Sequence, residues 1–369
     1  MYLKKIFSFL LAAFCFQLSF AQLTTPADGG NKKASVSERI GITDVTLHYD
    51  RPAIKGREGK IWGQLVEKGF TDLGFGTSKA APWRAGANEN TTITLSTDVL
   101  VEGKPLAAGT YGLFLAYGDN ESTFIFSNNS TSWGSYFYDP KEDALRVNVK
   151  NKILAESVER LKYEFMDQTE NSATVNLAWE KKSFPFKIEI DLLKTQLASF
   201  RKELRGDKGF KWEAWVDAIN YSVQHNTNLV EALQWSDYAI NGVYVGQKNF
   251  STLSAKAAVL RKMGRDTEAE AIMKEAMPLA TMQELHNYAR QLLAAKKNAE
   301  ALEAFKLNAQ KNPNLFTTNM GLMRGYSANG DYKNALKHAK AALAQAPDDN
   351  NKKAIEGFIK TLGEGKAIN

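Results

Sequence analysis

The sequence predicts a two-domain β plus α protein: an antiparallel β-sandwich or jelly roll, then an α-helical solenoid of repeated hairpins. Three observations carry this. Apolar residues alternate with polar ones from residue 34 to about 192, the spacing becomes helical just beyond, and from Trp212 a set of landmarks returns every 32–34 residues. A chain of 369 residues, 44% hydrophobic and 24% charged, is long enough for two domains of roughly 150 residues and too apolar to be disordered.

The first element is an export signal. Lys4 and Lys5 precede an apolar run over 6–18, and Ser19-Phe20-Ala21 supplies small residues around a cleavage point. Residues 1–21 are therefore read as a signal peptide, with Gln22 as the mature N-terminus and a periplasmic or secreted destination. The run is short for a membrane span, and no other stretch approaches ~20 apolar residues, so no transmembrane segment is expected. The single cysteine, Cys15, lies inside this leader. Phe14 is bulky where a lipid-attachment site wants a small residue. A mature chain without cysteine excludes disulfides, thiolate catalysis and cysteine-bound metal. Loss of Lys4 and Lys5 lowers the net charge from +6 to +4, too small and dispersed an excess to favour nucleic acid.

Over 34–192 the strands are legible one by one. Val45, Leu47 and Tyr49 alternate with Thr46, His48 and Asp50. Leu161, Tyr163 and Phe165 alternate with Lys162 and Glu164. Ala173, Val175, Leu177 and Trp179 form a third series, and Ile188, Ile190 and Leu192 a fourth. Each has one buried and one wet face, as in antiparallel sheets. Turns at Glu102-Gly103, Gly118-Asp119-Asn120 and Glu170-Asn171 separate the runs. Strands at this spacing suit a sandwich, with a barrel as the alternative. The glycine-rich stretch 56–86 breaks the pattern and reads as a long loop with one helical turn near 61–66.

Leu192, Leu193, Leu197, Phe200 and Leu204 then take up helical spacing, giving a linker helix over 193–209 with Gly206 as its C-terminal cap. Beyond it, Leu322, Tyr326, Gly330, Ala335, Ala342 and Pro347 mark one unit. Tyr288, Leu292, Ala301 and Pro313 stand 34 residues earlier, and Leu253, Ala257, Leu260, Gly264, Ala269 and Ala276 mark the unit before. A weaker first unit has Val216, Asn220, Val223, Ala232 and Ala239. Glycines allow the turn inside each hairpin, alanines allow close helix approach, and prolines stop the second helix. One hairpin cannot bury its own apolar face, so the units must stack. In these residues the region 210–362 resembles the tetratricopeptide repeat family, with Lys296 standing where a turn glycine is expected and a last helix over 350–362 closing the array. A plain helical bundle is the alternative.

That resemblance implies a superhelix whose concave face, built from the first helix of each unit, binds peptides or proteins. The inner-face residues are then Arg261 and Lys262, His286 and Arg290, and Met320 and Arg324. Arg290 and Arg324 are one repeat apart, so their guanidiniums would stack and suit a carboxylate or an acidic peptide. The alternative is that they are solvated surface arginines.

The first domain holds three dense segments: Arg51-Pro52-Ala53-Ile54-Lys55-Gly56-Arg57, residues 83–92 from Trp83-Arg84 through Asn88-Glu89, and Gly103-Lys104-Pro105-Leu106 running on to Tyr111. With Trp133-Gly134 and Phe184-Pro185-Phe186-Lys187-Ile188 they resemble a secreted bacterial family known only as domain of unknown function 2911. The resemblance supplies a self-contained β domain and no reaction. Read for themselves, Arg51, Lys55, Arg57, Trp83, Arg84, Asn88 and Glu89 flank the long loop. They make either a cationic pocket for a small anionic or hydroxylated ligand or a scaffold in which arginines clamp loop carbonyls and Trp83 fills a core gap. Trp133, Tyr136 and Tyr138 form an aromatic patch that would suit a glycan if exposed.

Catalytic signatures are missing: there is no HxH, HExxH or GxSxG, and the four histidines are scattered. Gly74–Lys79 lacks the spacing of a phosphate loop. No catalytic residue, metal or cofactor is assigned. The sequence reading is an exported binding or scaffold protein. Its repeat groove takes a protein or peptide partner, acidic in character, and its sandwich takes a second partner or a small anionic or glycan ligand. An envelope hydrolase or a glycan binder with its site at the sandwich loop end is the competing reading.

Overall fold

The computed structural model describes residues 30–368, so the export signal read from the sequence lies outside the described residues. The chain divides into two compact units between Thr195 and Gln196.

The first unit is two antiparallel sheets. Strands β1 (Lys32–Ile40), β2 (Thr43–Arg51), β3 (Thr92–Leu95), β6 (Gly109–Ala116), β7 (Glu121–Ser127) and β8 (Asp143–Lys150) form a six-stranded sheet in the order β1-β2-β3-β6-β7-β8. Strands β4 (Val99–Val101), β5 (Lys104–Leu106), β9 (Lys152–Met166) and β10 (Ser172–Glu189) form a four-stranded sheet in the order β5-β4-β10-β9. Neither sheet closes on itself, which removes the barrel alternative. The alternating residues meet in one core: Leu47, Ile93, Leu113, Phe124 and Val147 from one sheet pack with Leu161, Tyr163, Val175, Leu177, Phe186 and Ile188 from the other. A sandwich follows directly, because each sheet has one apolar face to bury.

The connection from Arg51 to Thr92 is folded onto this core. Ile54, Ile61, Val66, Ala81 and Ala85 are buried. Trp62 lies within 6.0 Å, centroid to centroid, of Trp83, Tyr117, Trp179 and Phe184. Trp83 exchanges two backbone hydrogen bonds with Leu115, so it extends the core, as the scaffold reading requires. The helical turn expected near 61–66 does not form. Gly63 takes a φ of +83°, outside any helix, and the Val66 N–H reaches back to the Ile61 carbonyl across a wider turn.

The second unit is helical. It begins within helix α1 (Leu192–Glu203), which is followed by a 3₁₀ turn at Asp207–Phe210. Gly206 has φ −104°, so it is not the left-handed cap expected of it. Four hairpins follow: α2 (Trp212–Gln224) with α3 (Leu229–Asn241), α4 (Phe250–Lys262) with α5 (Asp266–Ala276), α6 (Met282–Ala294) with α7 (Asn298–Lys311), and α8 (Phe316–Ala328) with α9 (Tyr332–Ala344). Helix α10 (Asp349–Gly363) buries Ile355 and Leu362 against the last hairpin. The array fits a tetratricopeptide-like solenoid. Ala269, Ala301 and Ala335 are fully buried where helices cross, and Gly264 (φ +74°) and Gly330 (φ +77°) turn their hairpins. A different glycine pair sets one spacing: a Cβ at Gly321 or Gly325 would come within 2.5 or 2.9 Å of the Phe305 ring, so α8 lies hard against α7.

Candidate functional site

The three arginines predicted at the sandwich loop end are occupied by backbone. Arg51 Nε donates to the Leu161 carbonyl at 2.8 Å. Arg57 Nε and Nη2 donate to the carbonyls of Ile54 (2.9 Å) and Ala53 (2.8 Å). Arg84 Nη1 donates to the Asn88 carbonyl at 2.8 Å, and its guanidinium lies 5.1 Å from the Trp133 centroid and 5.6 Å from that of Tyr136. Lys55 is exposed, and its backbone N–H donates to Glu159 Oε1. This is the clamping arrangement of the scaffold reading. Of the seven residues named from the sequence, the structure joins Arg84 to Asn88, pairs Glu89 with Lys33, holds Arg51 and Lys55 on β9 and folds Arg57 back on its own loop.

Beside them lies a depression of about 510 Å³ lined by Lys33, Ala34, Ser35, His48, Tyr49, Asp50, Glu89 and Asn90. Strand register builds its floor: Lys33 stands opposite Asp50, and Ser35 opposite His48, all on the outer face of the six-stranded sheet. The loop before β3 overhangs it. Lys33 Nζ pairs with Glu89 Oε1 at 3.1 Å, and Asn31 Nδ2 donates to Asn88 Oδ1 at 3.3 Å. Burial first, and a hydrogen bond to Glu89 second, push the Asp50 carboxyl up to about 6, while the bond from Asp50 and the Lys33 ammonium hold Glu89 low. Sequence reasoning missed Asp50, His48 and Asn90. The strand pattern places Asp50 on the wet face, and only the overhang of residues 88–90 buries it. No local signal announces that.

The aromatic patch is revised. Trp133 is 57% exposed and stacks on Tyr136 at 6.1 Å, with Phe75 and Phe137 also exposed nearby. Tyr138 is instead buried with Phe114, Ala116 and Ile125, its hydroxyl donating to Asp143 Oδ2 at 2.8 Å.

In the helical unit, three of the residues named for the groove, His286, Arg290 and Arg324, lie near enough to feel one another's charge. His286 is half-buried, its ring edge-on to Phe305 at 5.6 Å, and its Nδ1 is buried without a hydrogen-bond partner. Burial and then the charges of Arg290 and Arg324 hold its pKa below the usual 6.5, against a hydrogen bond to the Thr317 backbone. Arg324 is half-buried over the Phe358 ring at 5.4 Å, and burial followed by Arg290 lowers it as well. Among the described residues neither guanidinium has a carboxylate within ion-pair distance. Met320 packs in the apolar cluster under α10. Arg261 and Lys262 lie in the last turn of α4. By the register of buried Leu253, Ala257 and Leu260 against Leu285, Ala289 and Leu292, the α4 residue matching Arg290 is Ala258, so the column of cations stops at α6.

Comparison with known proteins bears on the first unit. Residues 31–188 match the model of a family described as protein of unknown function (DUF2911). The helical region follows that match. No curated protein matches the chain. Among the described residues no helix is long and apolar enough to cross a membrane.

Proposed function

We propose that this is an exported binding protein whose helical array holds an anionic segment of a protein or peptide partner. Its sandwich serves as a second binding module for a partner or small ligand. One observation carries the reading: His286, Arg290 and Arg324 converge with no counter-ion among the described residues. The half-buried Arg324 and the exposed Arg290 repel one another, and a bound carboxylate converts that repulsion into attraction. Arg290 and Arg324 offer planar donor forks to a carboxylate. His286 adds a positive charge beside them when an anion favours the protonated ring.

The test pairs fluorescence anisotropy on acidic peptides with pull-down from an envelope extract, for wild type and for Arg290→Glu/Arg324→Glu. Wild type is expected to bind acidic peptides more weakly as salt rises, and the double variant to lose at least about tenfold in affinity. Equal peptide affinities and unchanged partners for the two proteins would defeat this reading.

A further inference from the structure

The depression on the outer face of the six-stranded sheet contains two polar atoms left without partners. Asp50 is 4% exposed and Asn90 8% exposed, and the Oδ1 of each is buried with no hydrogen-bond partner. Both residues line the depression. Leaving a buried acceptor unpaired costs about 1–3 kcal/mol, so two in one place call for a donor from outside the fold. The Asn90 orientation is fixed. Its Nδ2 donates to the Asn129 carbonyl at 3.1 Å, its backbone N–H donates to Ser132 O at 3.2 Å, and its amide lies so close over Gly112 that a Cβ there would sit 2.5 Å from Nδ2. Oδ1 is therefore the atom left over.

The lining narrows the chemistry of the donor. Asp50 and Glu89 disfavour an anion. Lys33, salt-bridged to Glu89, disfavours a simple ammonium ion. Among the described residues no group of three or more His, Cys, Asp or Glu is placed to hold a metal ion. The unpaired oxygens disfavour an apolar ligand. A hydroxyl group both donates and accepts. It answers Asp50 Oδ1 and Asn90 Oδ1, and takes donors in return from the Lys33 ammonium, the exposed His48 ring and the Ser35 hydroxyl. The hydrogen bond from Asn90 to Ser132 joins this site to the loop that presents Trp133, whose exposed face suits the C–H face of a sugar ring.

We infer that the depression is a saccharide-binding site, in which Asp50 and Asn90 accept from vicinal ring hydroxyls and Lys33, Ser35 and His48 donate back to them. This deepens the sandwich half of the proposed function and rests on it, and it is independent of the helical groove.

The experiment is an NMR titration of the full mature chain. The probes are glucose, galactose, N-acetylglucosamine and myo-inositol, a matching oligosaccharide series, and ethanolammonium as the cationic comparator. The expected result is that at least one sugar at millimolar concentration shifts the Asn90 side-chain amide and the Ser35 and His48 backbone amides. Asp50→Ala is then expected to weaken it about tenfold, the loss of one buried hydrogen bond to a charged group. A stronger response to the oligosaccharide identifies a glycan chain as the source, and an equal response identifies a free sugar. If ethanolammonium moves these signals and no sugar does, the saccharide assignment falls while a ligand-binding sandwich stands. If no probe moves them, both fall. The wild-type shifts decide this even where Asp50→Ala does not fold.

Discussion

A single carboxyl shows how far a residue's chemistry departs from its place in the sequence. Asp50 belongs by strand alternation to the solvent face, yet residues 88–90 fold over it, and burial followed by Glu89 raises its pKa from 3.8 to about 6 against the Lys33 charge and a hydrogen bond with Asn88. The groups facing it are Lys33 from β1, His48 from β2 and Glu89 from the overhanging loop. A carboxyl with a raised folded-state pKa holds its proton more tightly when folded. Its contribution to stability is therefore complete below pH 3.8 and is lost as pH rises through about 6. Asn cannot ionise, so Asp50→Asn is expected to remove this loss. Denaturant unfolding of the sandwich should show the variant gaining on wild type between about pH 4 and pH 6 and holding that gain above it. Parallel profiles for the two proteins would show that Asp50 ionises freely. At this scale the sequence was a partial guide. It singled out Glu89 and Asn88, but the residue they bury lies 39 and 38 positions away, and contacts of that range follow from the path of the loop.

Among elements, the hairpins show which signals survive. The landmarks at fixed spacing were enough to place the helices, because alanine at a crossing and proline after a helix have local physical causes. The third hairpin departs from its neighbours in a way the sequence already displayed. Gly264 and Gly330 turn their hairpins with φ near +75°, and Lys296 adopts φ +59° at the matching place. A side chain in that region strains against its own backbone, and glycine does not. Lys296→Gly is expected to stabilise the helical unit by about 0.5–1 kcal/mol, seen as a rise of roughly 2–4 °C in its melting temperature. A lower melting temperature would mean that the lysine side chain makes a compensating contact. The long connection between β2 and β3 was the least legible element. Its buried residues follow no period, since isolated bridges to Tyr117, Leu115 and Arg160 position it and a regular ladder does not.

Across the whole molecule, two different ways of storing apolar surface lie in one chain. The sandwich has one large core to which both sheets contribute. The helical unit has a chain of smaller ones: one around Leu197, Ile219 and Trp235, one around Leu253 and Met273, one around Leu292 and Phe305, and one around Met323 and Ile355. Periodicity revealed both halves, because an alternating pattern and a helical one each state which face must be hidden. What the faces then bind was not stated, since His286, Arg290 and Arg324 look like ordinary surface residues until the helices carrying them are stacked.

Divided cores also bear on how far the effect of a bound partner travels. Each hairpin is expected to exchange its amide hydrogens with solvent largely on its own terms, as in other stacked arrays whose stability is a sum of neighbouring terms. An acidic peptide seated on Arg290 and Arg324 should slow deuterium uptake in α6, α8 and α10 while α2 and α3 keep the rate of the free protein. Slowing spread evenly from Trp212 to the end would show that the hairpins open and close together. If the hairpins do act singly, the first of them can loosen or accept a second molecule while the last keeps hold of its own.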